Sequence, residues 1–61
     1  KMRGYKLTFS TGEIRFIAAY SADWSSDRVI TLERNNEQKA YYGVVNCEEV
    51  DYNVKSERAK D

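Results

Sequence analysis

Hydrophobic and polar side chains alternate one by one in residues 4–9, near the start of the chain. One face of this segment carries Lys6 and Thr8, and the other carries three large apolar residues: Tyr5, Leu7 and Phe9. A period of two in a segment rich in aromatic residues predicts a half-buried strand. Residues 10–12 end in a glycine and predict a turn, because glycine adopts positive φ without strain.

A second strand is predicted over residues 13–20, paired with the first in a hairpin. Its apolar residues occupy both faces. One face carries Ile14, Phe16, Ala18 and Tyr20. The opposite face carries Ile17 and Ala19, so we expect the end of this strand to be covered on both sides.

The alternation stops in residues 21–27, which read SADWSSD. Serine and aspartate favour hydrogen bonds between their side chains and the local backbone over pairing in a sheet. We therefore predict a surface loop with Trp24 in its middle.

Two apolar runs, residues 29–32 and 40–45, predict a second hairpin. A turn at residues 46–48 and a fifth, clearly alternating strand over residues 49–54 follow. The charged segment 55–61 has no large apolar residue, and we expect it to be a flexible tail.

The register of the second hairpin depends on how Asn35 and Asn36 turn the chain. A two-residue turn would place Leu32 opposite Lys39, whereas a loop one residue longer, ending at residue 37, would place it opposite Ala40. The longer loop gathers apolar partners on one face and is the register that we favour. It requires an asparagine in the left-handed conformation, which this residue type tolerates.

Five short strands joined mostly by tight turns indicate one all-β domain over residues 1–54. We expect a small five-stranded antiparallel meander or SH3-like barrel, because closure of a sheet hides its edges.

The segments YKLTFSTGEIRFI, RVITLER, YYGVV and EEVDYNV resemble the small SH3-like β-barrel proteins found among phage and prophage accessory genes. The resemblance spans most of the chain and rests on the strand pattern, which Sm-like and OB-like barrels share. It implies a small binding protein that acts on a host or viral partner.

The chain has no histidine and a single cysteine, Cys47. Histidine is the usual general base and metal ligand, and the neighbouring Glu48 and Glu49 disfavour a reactive thiolate. We predict a structural thiol, no enzymatic activity and no cofactor. The pair Glu49 and Asp51 is expected on a solvated face.

Asp23 and Asp27 flank the predicted loop, but calcium requires six to eight oxygen ligands and usually several carboxylates. We expect these two residues to cap the loop backbone rather than to bind a metal.

Ten basic and ten acidic residues cancel, and this removes the long-range attraction that drives most nucleic-acid binding. The charges are nevertheless uneven, since residues 1–16 carry four basic residues and one acidic residue. Nucleic-acid binding is therefore the alternative hypothesis, with exposed aromatics stacking on bases and Arg3, Lys6 and Arg15 contacting phosphates.

Binding of a protein partner, or self-association, is the favoured function. Apolar residues on the second face of the strands, together with the tryptophan, exceed what one small core can hold. The candidate partner-binding residues are Trp24, Ile17, Tyr41 and Val45. Trp24 is equally compatible with a lid over the core.

The lone cysteine and the lack of a signal peptide predict a reducing, cytoplasmic setting. No apolar run approaches the roughly 20 residues that span a bilayer, so we expect a soluble protein without membrane contact.

Overall fold

The computed structural model describes residues 1–52, which form six β-strands and one turn of 3-10 helix. The strands are β1 (Arg3–Phe9), β2 (Ile14–Ala19), β3 (Ser21–Ser25), β4 (Arg28–Glu33), β5 (Glu37–Tyr42) and β6 (Val44–Val50). The prediction of an all-β domain is confirmed. The end of the predicted fifth strand and the whole predicted tail lie outside the described residues.

The strands form two antiparallel sheets of three, ordered β2-β1-β6 and β3-β4-β5. The expected five-stranded meander or closed barrel is therefore wrong in strand number and in closure. Two long extended segments each contribute to both sheets, because β2 continues into β3 after Tyr20 and β5 continues into β6 after Gly43. The sheets face each other, and each offers one inner face to a common core.

Gly43 forms the bend between β5 and β6. Its φ of 75° lies in the left-handed region that glycine adopts without strain. The backbone carbonyl of Gly43 accepts a hydrogen bond of 2.8 Å from the N–H of Ser10, and the next residue, Val44, donates its N–H to Asp27 at 2.9 Å. These two bonds attach the bend to the turn after β1 and to the start of β4.

The structure corrects two of the predicted connections. Residues 21–25, expected in a loop, form β3, and a tight turn follows in which Ser26 has φ 58°. Residues 46–48, expected to turn the chain, lie within β6. Serine, aspartate and asparagine disfavour strands only weakly, and pairing with a neighbouring strand outweighs that preference.

The second hairpin turns through Arg34–Asn36, one residue earlier than expected, so both predicted registers are wrong. Glu33 pairs with Glu37, and Ile30 pairs with Ala40. The expectation of a left-handed asparagine is confirmed twice, since Asn35 and Asn36 have φ of 66° and 60°.

The core consists of apolar side chains from both sheets: Tyr5, Leu7, Ile17, Ala19, Val29 and Val44. The predicted inward face of β1 is confirmed by Tyr5 and Leu7. On β2 the faces are reversed, because Tyr5 pairs with Ile17 and opposite residues share a face. Ile17 is 7% exposed and Ile14 is 49% exposed.

The reversed faces of β2 lead to a matched pair of variants. Ile17→Val removes one methylene group from the core and should lower the free energy of unfolding by about 0.5–1.5 kcal/mol. Ile14→Val makes the same change on the outer face and should alter it by less than about 0.5 kcal/mol. Urea denaturation of both proteins measures the difference. Equal losses would mean that β2 does not bury the Ile17 face.

Candidate functional site

A groove of about 410 Å³ lies between β2 and the ends of β4 and β5. Residues 15–18 of β2 form one wall, and the other wall is formed by four residues: Glu33, Arg34, Lys39 and Tyr41. Met2 and Tyr52 complete the lining. It is a shallow depression that is open to solvent, not an enclosed cavity. We call this feature the β2–β5 groove.

Glu33 is the centre of a polar cluster in the β2–β5 groove. Its Oε2 accepts hydrogen bonds of 2.7 Å from the hydroxyl of Thr31 and of 2.7 Å from the hydroxyl of Tyr41. Its Oε1 lies 3.6 Å from Nζ of Lys39, and the side chain is 15% exposed. A carboxylate this far from solvent needs such partners, because burial without them would be costly.

Strand geometry explains why these four residues meet. Thr31 and Glu33 are two apart on β4, and Lys39 and Tyr41 are two apart on β5, so each pair lies on one face of its strand. The register places Thr31 opposite Lys39, which brings the two pairs together on the inner face.

The contacts of Glu33 lower the pKa of its own carboxyl group and raise the pKa of Tyr41. Burial alone would raise the pKa of Glu33, but the hydrogen bonds from Thr31 and Tyr41 and the charge of Lys39 outweigh it and hold the pKa below its ordinary value. Burial, and then the hydrogen bond to Glu33 and its negative charge, raise the pKa of Tyr41 to about 12. The carboxylate is thus ionised and the phenol neutral at physiological pH.

Arg15 links the two sheets across the groove. Its guanidinium carbon lies 5.6 Å from the centre of the Tyr41 ring, within the range of a cation–π contact. Among the described residues, neither Arg15 nor Arg34 forms an ion pair. Within residues 1–52, the groove therefore holds one carboxylate with its own donors and two guanidinium groups without an acidic partner.

A second surface lies on the outer face of β3, β4 and β5. Four apolar residues share this face because of the register: Ile30, Leu32, Ala40 and Tyr42. Tyr42 is 66% exposed, and Leu32 and Ala40 are also exposed. We call this surface the outer apolar face. The sequence predicts that these residues share a face, but the core lies against the opposite one.

The structure does not gather the predicted partner-binding residues into one patch. Ile17 is in the core and is not available at the surface. Trp24 is on β3 opposite Val29 and is 42% exposed, so it belongs to a strand and not to a loop. Tyr41 is half-buried in the groove, and Val45 is exposed beside the bulge where β6 leaves its register with β1.

The basic residues of the nucleic-acid alternative are also separated. Nη1 of Arg3 forms an ion pair of 3.0 Å with Oε2 of Glu49. Lys6 pairs with Phe16 and points to the outer face, whereas Arg15 pairs with Leu7 on the inner face. The first hairpin thus presents no single basic surface.

Cys47 is half-buried against the core, opposite Leu7 on the inner face. Burial, and then the charge of Glu48, raise the pKa of its thiol, and this disfavours the thiolate that nucleophilic chemistry requires. In the described part of the chain, no three potential ligands among histidine, cysteine, aspartate and glutamate come together as a metal site.

The sequence reasoning missed Thr31, Glu33, Arg34 and Lys39 as site residues. A signal was present, because polar residues two apart on each strand of one hairpin must share a face. The favoured register would even have placed Glu33 opposite Lys39. The apolar pattern by itself does not reveal this pairing.

Comparisons with protein families, with characterised proteins and with solved structures found no match to the chain. The resemblance to SH3-like accessory proteins stays a prediction, and function must be argued from the geometry. Among residues 1–52, no helix is long and apolar enough to cross a membrane.

The cluster around Glu33 predicts a specific dependence of stability on pH. Because the pKa of Glu33 is lower in the folded protein than its ordinary value of 4.5, the carboxylate stabilises the fold above that pH. This contribution is lost as the pH falls through the lowered pKa. Glu33→Gln should lower the free energy of unfolding by about 1–2 kcal/mol at pH 7 and should flatten the loss on acidification.

Urea denaturation at several pH values between neutral and strongly acidic tests this expectation. Glu13→Gln, which removes an exposed carboxylate from the turn before β2, is the matched control and should keep the acid dependence of the unchanged chain. The same acid dependence in Glu33→Gln and in the control would contradict the role of Glu33.

Proposed function

We propose that the chain is a small, non-enzymatic protein-interaction module that associates with a second copy of itself through the outer apolar face. The observation that carries the proposal is the 66% exposure of Tyr42 on a face shared with Ile30, Leu32 and Ala40. Aromatic side chains in this setting are enriched at the energetic centres of protein contacts.

The small size of the core supports contact with another chain. Six buried apolar residues form the core of the described part, and a chain of this length buries only about 60% of the surface exposed in its unfolded state. Burying Leu32 and Tyr42 at an interface would stabilise the associated state by roughly 25 cal/mol for each Å² of apolar surface removed from water. Self-association therefore serves stability as well as binding.

The charges around the outer apolar face favour a second copy as the occupant. Asp23 and Arg28 lie on the same face, one of each sign, so two copies meet without net repulsion. The whole chain has a net charge of zero, which also favours association between copies. A strongly charged partner would find no complementary field on this face.

The resemblance to small SH3-like β-barrel accessory proteins of phages and prophages adds a biological setting to the proposal. In that setting the module acts in the cytoplasm on a host or viral protein. The all-β fold supports the coarse class that this resemblance implies, although its two sheets do not close into a barrel.

Light scattering coupled to size-exclusion chromatography tests the proposed self-association. The chain should elute as a dimer at about 100 μM, a concentration that populates dimers with micromolar dissociation constants. The double variant Leu32→Ser with Tyr42→Ser should elute as a monomer.

Val45→Ser is the matched control, because it removes an exposed apolar side chain from β6 and should leave the dimer intact. A monomeric unchanged chain at the same concentration would overturn the proposal. So would a dimer that survives the double variant.

A further inference from the structure

We infer that the β2–β5 groove is a second binding site, separate from the outer apolar face, and that it takes an acidic segment of a partner protein. The inference goes beyond self-association and does not depend on it. It rests on the charge, the fixed geometry and the unused donors of the groove.

The charge of the groove is positive. Among residues 1–52, three cationic residues line it, Arg15, Arg34 and Lys39, and Glu33 is the one acidic residue that does. Glu37, which pairs with Glu33 across the two strands, does not line the groove. The groove is open to solvent and its cationic side chains are exposed, so their attraction acts mainly on groups within about 10 Å of them. An anionic group is therefore attracted to it.

The carboxylate of Glu33 does not neutralise the two guanidinium groups. Both of its oxygens are engaged, Oε2 by the hydroxyls of Thr31 and Tyr41 and Oε1 by Lys39. Arg15 and Arg34 are exposed and form no ion pair with any described residue. Their N–H groups remain able to bind an acceptor supplied by a partner.

The position of Arg15 is set before a ligand arrives. Its guanidinium lies over the Tyr41 ring, and the Tyr41 hydroxyl is held by Glu33. A donor that is already in place loses less conformational entropy on binding. A guanidinium group also binds a carboxylate through two parallel hydrogen bonds, a geometry that lysine cannot supply.

The same contacts favour carboxylates of a peptide over a nucleic acid. Base recognition by small β-domains uses aromatic faces for stacking. Phe16, Tyr41 and Tyr52 line the groove, and Arg15 already covers one face of Tyr41. The Tyr41 hydroxyl is committed to Glu33. Two unpaired guanidinium groups suit one or two carboxylates, whereas tight nucleic-acid binding neutralises a longer series of phosphates.

Fluorescence anisotropy of a labelled peptide tests the inference with the full chain. The probe is a short peptide of alternating glutamate and alanine, and its counterpart has glutamine at every glutamate. The acidic peptide should bind, and the glutamine peptide should not. Arg15→Gln and Arg34→Gln should each weaken binding of the acidic peptide roughly tenfold.

Two controls separate the groove from other surfaces. Arg28→Gln removes one positive charge from the outer face and should bind the acidic peptide as the unchanged chain does. The double variant Leu32→Ser with Tyr42→Ser should also bind it normally, so a failure of self-association leaves this test intact. Circular dichroism spectra of all variants show whether the fold is kept.

Three outcomes would overturn the inference. The acidic and glutamine peptides could bind equally, or folded Arg15→Gln and Arg34→Gln could bind like the unchanged chain. A single-stranded thymidine oligonucleotide could also bind more tightly than the acidic peptide at the same salt concentration, which would assign the groove to nucleic acid.

Discussion

Two facing sheets of three strands can bury only one face each, and this limit decides where every other side chain goes. Opposite residues of paired strands share a face. Because Tyr5 and Leu7 of β1 point inward, their partners Ile17 and Cys47 also point inward. In the second sheet Val29 takes the inner face, and Ile30 and Leu32 are left outside with Tyr42. The outer apolar face is thus a consequence of which residues fill the core.

The inner faces of the sheets also carry polar residues at the margin of the apolar core. Each buried polar group there needs a hydrogen-bond or ionic partner. Thr31 is fully buried and directs its hydroxyl to Glu33. Glu33 in turn is stable as an anion only because Tyr41 and Lys39 complete its contacts. The polar cluster therefore satisfies a carboxylate at the margin of the core, and in doing so it fixes Tyr41 beneath Arg15.

Pattern alone predicts the all-β class, the first hairpin and the inner face of β1, because β1 has apolar residues on one face only. It fails on β2, where Ile14 and Phe16 compete with Ile17 and Ala19, and only pairing with β1 decides between them. The serine and aspartate neighbours of Trp24 predict a loop, yet pairing with β4 places the segment in a strand. The groove could not be predicted from single strands, since its walls belong to different sheets.

Arg15 and Lys39 occupy inner faces of β2 and β5, and both strands lie at the edge of their sheets. Charges that point inward on edge strands oppose the pairing of one protein's sheet with the edge of another, which protects small β-proteins from aggregation. This protection needs the charges to remain hydrated or partnered, which a dry core would not allow. The separation of the two sheets at the β2–β5 groove meets this requirement. The positive charge that we assign to ligand binding is therefore located where an open, two-sheet fold already needs charged residues.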